Sequence, residues 1–249
     1  MGRMEVMNTL SGISGELPST GGLSNADEAL LQGVSPLRRR LKRGESVYAS
    51  GREFEAIYVV HSGFFKTSIV HADGRSQVAG FHMRGDLLGI DGMATEAYTM
   101  DAVALENGEV LVISQAAMQR LGMMLQRAIC VEVARAHRMM LLLGTLRAEE
   151  RFAAFLLHLS HAFLARGYSP HEFNLRMTRH EIGSFLGLKF ETVSRLFSRF
   201  HDQGLIAVQH KHVRLLDMAG LRALMNGGGG SLQLAPQAPK ATTPAPPGA

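Results

Sequence analysis

Glu191, Ser194 and Arg195 stand at i, i+3 and i+4 in a stretch with helical spacing, so their side chains share one face. A guanidinium can fork onto guanine O6 and N7, a carboxylate can accept from the cytosine amino group, and a hydroxyl can serve either kind of base edge. That is the equipment of a helix laid in a DNA major groove. Val193, Leu196, Phe197 and Phe200 form the opposite, apolar face. Alone, the pattern also fits an ordinary amphipathic helix with a solvated polar side, and the flanking residues decide between the two.

Upstream, Thr178 with Glu181 three residues on has capping-box spacing, followed by a short helical pattern (Ile182, Leu186) that Gly187 breaks. Three residues of turn then lead into the Glu191 helix. Downstream of Gly204, residues 205–208 have strand character, 209–211 form a tight turn, and 212–216 return as a second strand. The sequence therefore predicts a helix-turn-helix with a hairpin wing. Between Arg176 and Asp217, seven Lys/Arg stand against four acids, leaving the unit at net +3 before its histidines. Arg179, Lys189, Lys211 and Arg214 suit phosphates, which orient a protein on the duplex without reading sequence. Thr178, Thr192 and Arg199 complete the set expected to touch the DNA backbone.

The elements that position this unit fill the preceding residues. From about Ser35 to Ser114 the chain breaks into short apolar or alternating runs (46–48, 56–60, 64–70, 77–81, 109–113). Turn signals punctuate them at Gly51, Ser62-Gly63, Asp73-Gly74, Gly85 and Asn107-Gly108. Short strands at this spacing predict an antiparallel barrel or sandwich. Residues 64–70 alternate too irregularly to say which side faces inward. From Ser114 one long helix is expected, and Ile129, Val133, Ala136, Met140 and Leu143 follow one another at steps of 4, 3, 4 and 3 with no charge among them. This is the a/d rhythm of a seam between two helices. Burial against the chain's own barrel is the alternative, and the run Met139 to Leu143 has enough apolar residues for both. A seam predicts a symmetric homodimer carrying two reading heads.

The 249 residues, 46% hydrophobic and 19% charged, suit a globular protein large enough for two domains. A formal charge of +4 permits nucleic-acid binding without demanding it, so the local charge around the helix-turn-helix carries more weight. No apolar stretch is long enough for a signal peptide core or a membrane span, and the expected location is the cytoplasm, with no membrane partner. A lone cysteine, Cys130, excludes an internal disulfide framework and any all-cysteine zinc or iron–sulfur site within one chain. The expected organisation is a disordered segment over 1–24, a β-roll sensor domain over 25–115, a dimerisation helix over 116–146, a winged helix-turn-helix over 147–225 and a disordered tail over 226–249. The fold class is α+β.

A glycine-punctuated barrel, a long seam helix and a C-terminal winged helix-turn-helix, in that order, resemble the CRP/FNR superfamily of bacterial transcription regulators. The resemblance spans about Leu37 to Asp217. The FNR branch is most similar, through Ala148-Glu149-Glu150-Arg151, Phe173-Asn174-Leu175-Arg176-Met177-Thr178-Arg179, Glu191-Thr192-Val193-Ser194-Arg195, Ser62-Gly63-Phe64-Phe65-Lys66 and residues 80–89. The resemblance implies a homodimer that recruits or blocks RNA polymerase and reads TTGAT-like half-sites in double-stranded DNA through Glu191, Ser194 and Arg195. Phe190 and Ser194 depart from the cyclic-AMP-responsive branch, which has arginine and glycine there.

Two further departures concern what is sensed. Oxygen-responsive FNR proteins hold a [4Fe-4S] cluster on four cysteines, three of them near the N-terminus, and this sequence has no cysteine before position 130. Cyclic-nucleotide binders carry an arginine that meets the phosphate, and here Tyr98-Thr99-Met100 occupies that stretch. No cofactor is therefore expected, although a haem-dependent or small-ligand sensor remains the alternative, since haem would need only an axial His or Met. Activation is the expected outcome, although no residue of the sequence separates it from repression.

Other chemistry-bearing residues have plainer explanations. Cys130 fits a small buried thiol, with a redox role as the alternative. His158 and His161, at i and i+3, lack a third metal ligand nearby. Arg38-Arg39-Arg40 with Lys42 and Arg43 fits a solvated strand edge better than a nucleic-acid patch. No catalytic motif appears, so an enzyme is not expected, and a regulator that has lost DNA binding is disfavoured by the intact Glu191, Ser194 and Arg195.

Overall fold

A computed structural model describes residues 25–71 and 73–225, so the disorder expected over 1–24 and 226–249 lies outside the described residues. Helix α1 (Asn25–Gly33) leads into eight strands: β1 (Leu37–Leu41), β2 (Ser46–Tyr48), β3 (Ala56–Ser62), β4 (Phe65–Val70), β5 (Ser76–His82), β6 (Leu87–Leu88), β7 (Asp101–Ala104) and β8 (Gly108–Ser114). They form two antiparallel four-stranded sheets in the orders β1-β8-β3-β6 and β2-β7-β4-β5. Ile57, Val59, Phe65, Leu88, Val110 and Ile113 close the core between them. Strand spacing predicts an antiparallel barrel or sandwich, and the two facing sheets are the β-roll of the α+β class that the family resemblance implies.

The uneven alternation over residues 64–70 has a physical cause. Thr67 and Ser68 are buried in succession while Ile69 and Val70 are exposed, and the β4–β5 ladder shifts register at the same point, where β5 carries the extra residue Ala79. A bulge of this kind leaves its extra residue unpaired and bends the strand that carries it, here the partner of β4. Strand β1 lies at a sheet edge. Arg38 and Arg40 pair there with Glu109, and Arg39 donates to the Ser46 and Val47 carbonyls. The basic run is thus a charged edge strand of the kind that discourages edge-to-edge pairing.

The single helix expected over 116–146 is two. Helix α2 (Gln115–Arg120) is capped by the Ser114 hydroxyl and stops at Leu121, whose backbone leaves the helical range, and α3 (Gly122–Thr145) restarts at a glycine. Leu121 is buried with Met118, Met124 and Leu125 against the roll. That anchoring, with the poor helix propensity of Gly122, accounts for the break. Beyond Leu125 no residue of α3 is buried. Met140 is 69% exposed and Val133 48%, Ala136 is exposed, and Ile129 and Leu143 are partly covered. Cys130, expected to be buried, is exposed on the same helix. Met139 and Leu142 face the other way and pack onto the C-terminal core.

Helix α4 (Ala148–Leu164) runs through that core, where Phe152 packs edge-on against Phe197 and Phe200. Around it lie β9 (Glu172–Asn174), α5 (Arg179–Leu186), α6 (Phe190–Asp202), β10 (Ile206–Gln209), β11 (His212–Leu215) and α7 (Met218–Met225). The wing is a three-stranded antiparallel sheet, β10-β11-β9, not the simple hairpin. The core is shared with the roll through Phe64, Val78, Met83 and Leu105. Among the described residues no helix is long and apolar enough to cross a membrane.

Candidate nucleic-acid interface

Helix α5 begins with the reciprocal cap that Thr178 and Glu181 predict. The Thr178 hydroxyl oxygen accepts from the Glu181 amide (3.2 Å), and Glu181 Oε2 accepts from the Thr178 amide (2.7 Å) and hydroxyl (2.9 Å). The helix ends at Gly187 in the left-handed conformation, φ +63°. A Cβ on Gly183 would lie 2.6 Å from the Leu188 carbonyl oxygen, so the tight turn into α6 depends on bare backbone at both positions.

Helix α6 then buries Val193, Leu196, Phe197 and Phe200 and leaves Glu191 and Arg195 on the exposed face. Ser194 is partly covered, and its Oγ is shielded from solvent with no hydrogen-bond partner. The three residues expected to read bases therefore lie on one side of the helix, with the hydroxyl recessed between two open charged side chains.

The residues expected to meet phosphates divide into two groups. Thr178, Lys189 and Lys211 are exposed, and Arg179 and Thr192 are partly exposed. Thr178, Arg179, Lys211 and His210 border one small depression of about 170 Å³, so the start of α5 and the wing tip converge. Arg179 is held there with its guanidinium carbon 4.9 Å from the centre of the Phe197 ring. Arg199 differs, because its guanidinium is ion-paired to Glu149 at the start of α4. His210, not foreseen from the sequence, takes the left-handed position of the wing turn at φ +55°. Its only sequence signal was the basic character of the turn.

The roll has its own chemistry. Asp91 Oδ2 accepts from the Thr99 amide (2.8 Å), the Thr99 hydroxyl (3.0 Å) and the Met100 amide (3.1 Å). A carboxylate of the chain thus takes up amides in the stretch where cyclic-nucleotide binders place their phosphate partner. Tyr98 donates to the Ala56 carbonyl (2.7 Å) and stacks on Tyr48 with ring centres 4.1 Å apart, filling the roll beside it. Burial pushes the Tyr48 phenol well above its usual range, with Asp91 adding to the effect.

A mostly apolar cavity of about 710 Å³ lies between the roll, α3 and α4, with Tyr48, His82, Val133, Arg135, Phe155 and His158 on its walls. Asp86 is buried beside it at 6% exposure and pairs with Arg166, in the turn after α4 (2.8 Å), and Arg135 of α3 (3.3 Å). Burial, reinforced by Arg135, lowers His82 and His158 to about 4, which keeps both neutral near pH 7. Among the described residues no group of three His, Cys, Asp or Glu side chains converges as a metal site.

Comparison with known proteins follows the same division. Residues 38–123 match the cyclic nucleotide-binding domain family, and residues 150–224 match the Crp-like helix-turn-helix domain family. The chain is 43% identical to the transcriptional regulatory protein Btr of Bordetella pertussis, over 76% of its length and 81% of that protein. It is 40% identical to the transcriptional activator FnrA of Stutzerimonas stutzeri, over 82% of its length and 87% of that protein. Among solved structures, FixK2 of Bradyrhizobium japonicum superposes with a TM-score of 0.68 at 26% identity, covering 76% of this chain and 96% of that one. The relatives are transcription regulators and not enzymes. With both domain families matched in order and relatives similar along most of their lengths, the chain belongs to the CRP/FNR family of DNA-binding transcription regulators.

Proposed function

We propose that this regulator acts as a homodimer that reads TTGAT-like palindromic half-sites, with Glu191, Ser194 and Arg195 contacting bases. In this reading Thr178, Arg179, Lys189, Thr192 and Lys211 hold phosphates. The observation that carries it is the exposed pair Glu191 and Arg195, one helical turn apart on a helix whose other face is fully buried. The apolar side chains of Val133 and Met140, open to solvent on a single chain, support pairing of α3 with its copy. Ile129, Ala136 and Leu143 complete the seam. Arg199 joins the phosphate set only by leaving Glu149. RNA polymerase is the proposed protein partner, activation the proposed outcome and the cytoplasm the proposed location.

No iron–sulfur cluster belongs to this reading, because one cysteine cannot supply four thiolates. A second reading, a haem- or small-ligand-dependent regulator, is favoured by one observation, the apolar cavity against α3 and α4. Selection of bound sequences from random DNA, run with and without oxygen at fixed salt, tests the first reading. A TTGAT palindrome recovered under both conditions from colourless protein supports it, and failure to recover paired half-sites rejects it. A Soret band in the purified protein moves the case to the second.

A further inference from the structure

Helix α3 and the DNA-binding unit are joined covalently by a short non-helical step, Leu146 and Arg147, both in extended conformation. The step itself fixes no angle. Met139 and Leu142 of α3 pack onto the C-terminal core, and one side chain bridges the step by hydrogen bonds. Arg151, in the first turn of α4, donates from Nη2 to the Leu143 carbonyl (2.7 Å) and from Nε to the Leu146 carbonyl (2.9 Å). Its Nη1 reaches the Leu186 carbonyl (3.1 Å). Leu143 belongs to the last turn of α3, and Leu186 is the last residue of α5, directly before the turn that launches α6.

The last four carbonyls of a helix lack partners within it, and a cation there also meets the negative end of the helix dipole. Capping one helix end in this way is common. Here a single planar guanidinium, whose donors keep a fixed fork geometry, meets the ends of two helices at once. Those two are the seam helix and the helix that carries the reading turn. Next to it, Glu149 ties the same first turn of α4 to Arg199 on α6 itself.

We infer that Arg151 is a positioning residue that sets the angle between the dimer helix and the reading helix, and thereby the separation between half-sites that the dimer accepts. The inference rests on the dimeric, palindrome-reading function proposed above. Arg151 touches no base. Its loss should leave half-site sequence unchanged and loosen the spacing between half-sites, because dimers bind two half-sites at a separation set by protein geometry.

The test is selection from a library in which two randomised half-sites are separated by graded spacers, using the full chain and its Arg151→Gln and Arg151→Lys variants, with thermal unfolding recorded for each. The parent should return one narrow spacer. Arg151→Gln should return the same half-site over a broader range of spacers, with affinity at the parental spacing roughly tenfold lower. Arg151→Lys, which keeps the charge but not the fork, should fall between the two, and it is the variant to score where Gln lowers the folded fraction.

A folded variant with an unchanged spacer distribution, or one weakened alike at every spacing, overturns this inference and leaves the proposed function standing. A parent that selects no paired half-sites overturns both.

Discussion

Lys66 Nζ lies 2.7 Å from Glu181 Oε1, across the boundary between the roll and the helix-turn-helix, while Oε2 of the same carboxylate caps α5 through Thr178. One side chain therefore starts the first helix of the helix-turn-helix and fastens it to the roll. The Val78 amide, donating to the Ser184 hydroxyl at 2.8 Å, and the Phe81–Phe185 contact extend the same seat. Lys66→Met removes the fastening and keeps the cap, and should cost about 0.5 to 1 kcal/mol. Glu181→Ala removes both and should cost about 1 kcal/mol more. Burial works to raise the Glu181 carboxyl, but Lys66 and the Thr178 donors outweigh it and hold it below its ordinary 4.5. Its contribution is therefore present at neutral pH and lost as pH falls below that value. Urea unfolding of both variants decides the matter, and equal losses would show that the cap contributes nothing.

Asp86 joins three elements through one buried carboxylate. Arg135 and Arg166 both donate to its Oδ1, and the Met83 amide donates to Oδ2. Burial would raise this carboxyl, yet the two guanidiniums lower it overall. Asp86→Ala leaves two cations in a poorly solvated site, which should cost about 3 to 5 kcal/mol, visible as a lower denaturation midpoint. A loss under about 1 kcal/mol would mean that the arginines find other acceptors readily.

Much of the reading unit was legible in the sequence, because a helical period of 3.6 separates α6 into a buried and an exposed side without any tertiary knowledge. The recessed Ser194 was not, since its cover comes from packing that spacing does not encode. Strand β4 was illegible because its burial does not alternate: Thr67 and Ser68 are covered in succession and Ile69 and Val70 left open, beside a bulge in the partner strand β5. Strand β9 offers a single buried residue, Phe173, over three positions, too few for any period to register. Lys66 and Glu181 are 115 residues apart, and Arg151 and Leu186 are 35 apart. Pairings of that range depend on how the domains dock, and spacing rules stop at one helix or one hairpin.

Glu132 gives the protein a pH dependence of opposite sign to Glu181. Burial raises its carboxyl from 4.5 to about 7, against the pull of Arg135 at 3.1 Å, which also serves Asp86. A carboxyl raised in the folded state binds its proton more tightly there than in the unfolded chain. Its contribution is full below 4.5 and declines as pH rises through about 7. Glu132→Gln should therefore be more stable than the parent above pH 7, with the difference vanishing towards pH 4.5. Thermal unfolding of the pair across this range checks it, and a difference constant with pH would refute the raised carboxyl. His82 and His158 titrate in both proteins and cancel in the comparison.

Cyclic AMP should not bind in the roll. Its phosphate would have to displace the Asp91 carboxylate from the Thr99 and Met100 amides, and would then face that carboxylate without an arginine to offset the charge. A ligand present at a hundred times its dissociation constant stabilises by about 2.7 kcal/mol, enough for a readable shift in melting temperature. Millimolar cyclic AMP should leave the melting temperature unchanged, and a saturable rise would sink this account.

In the proposed reading the interface divides into residues that read and residues that only hold, and three substitutions separate the roles. Arg195, exposed beside Glu191, has the fork that discriminates a guanine edge, so Arg195→Ala should cost about 1 to 3 kcal/mol on the parental site and relax choice at one base pair. Lys211 sits at the wing tip, bordering the same depression as Thr178 and Arg179, where a cation meets phosphate whatever the bases are. Lys211→Ala should weaken all sequences alike and shallow the dependence of affinity on salt by about one released ion. Ser194→Gly should shift preference at one position only, since the hydroxyl it removes is recessed and unpaired in the free protein. Affinities measured on parental and single-substituted sites at two salt concentrations distinguish the three. If Arg195→Ala weakened every site equally and Lys211→Ala changed the preferred bases, the reading and holding faces would have to be exchanged.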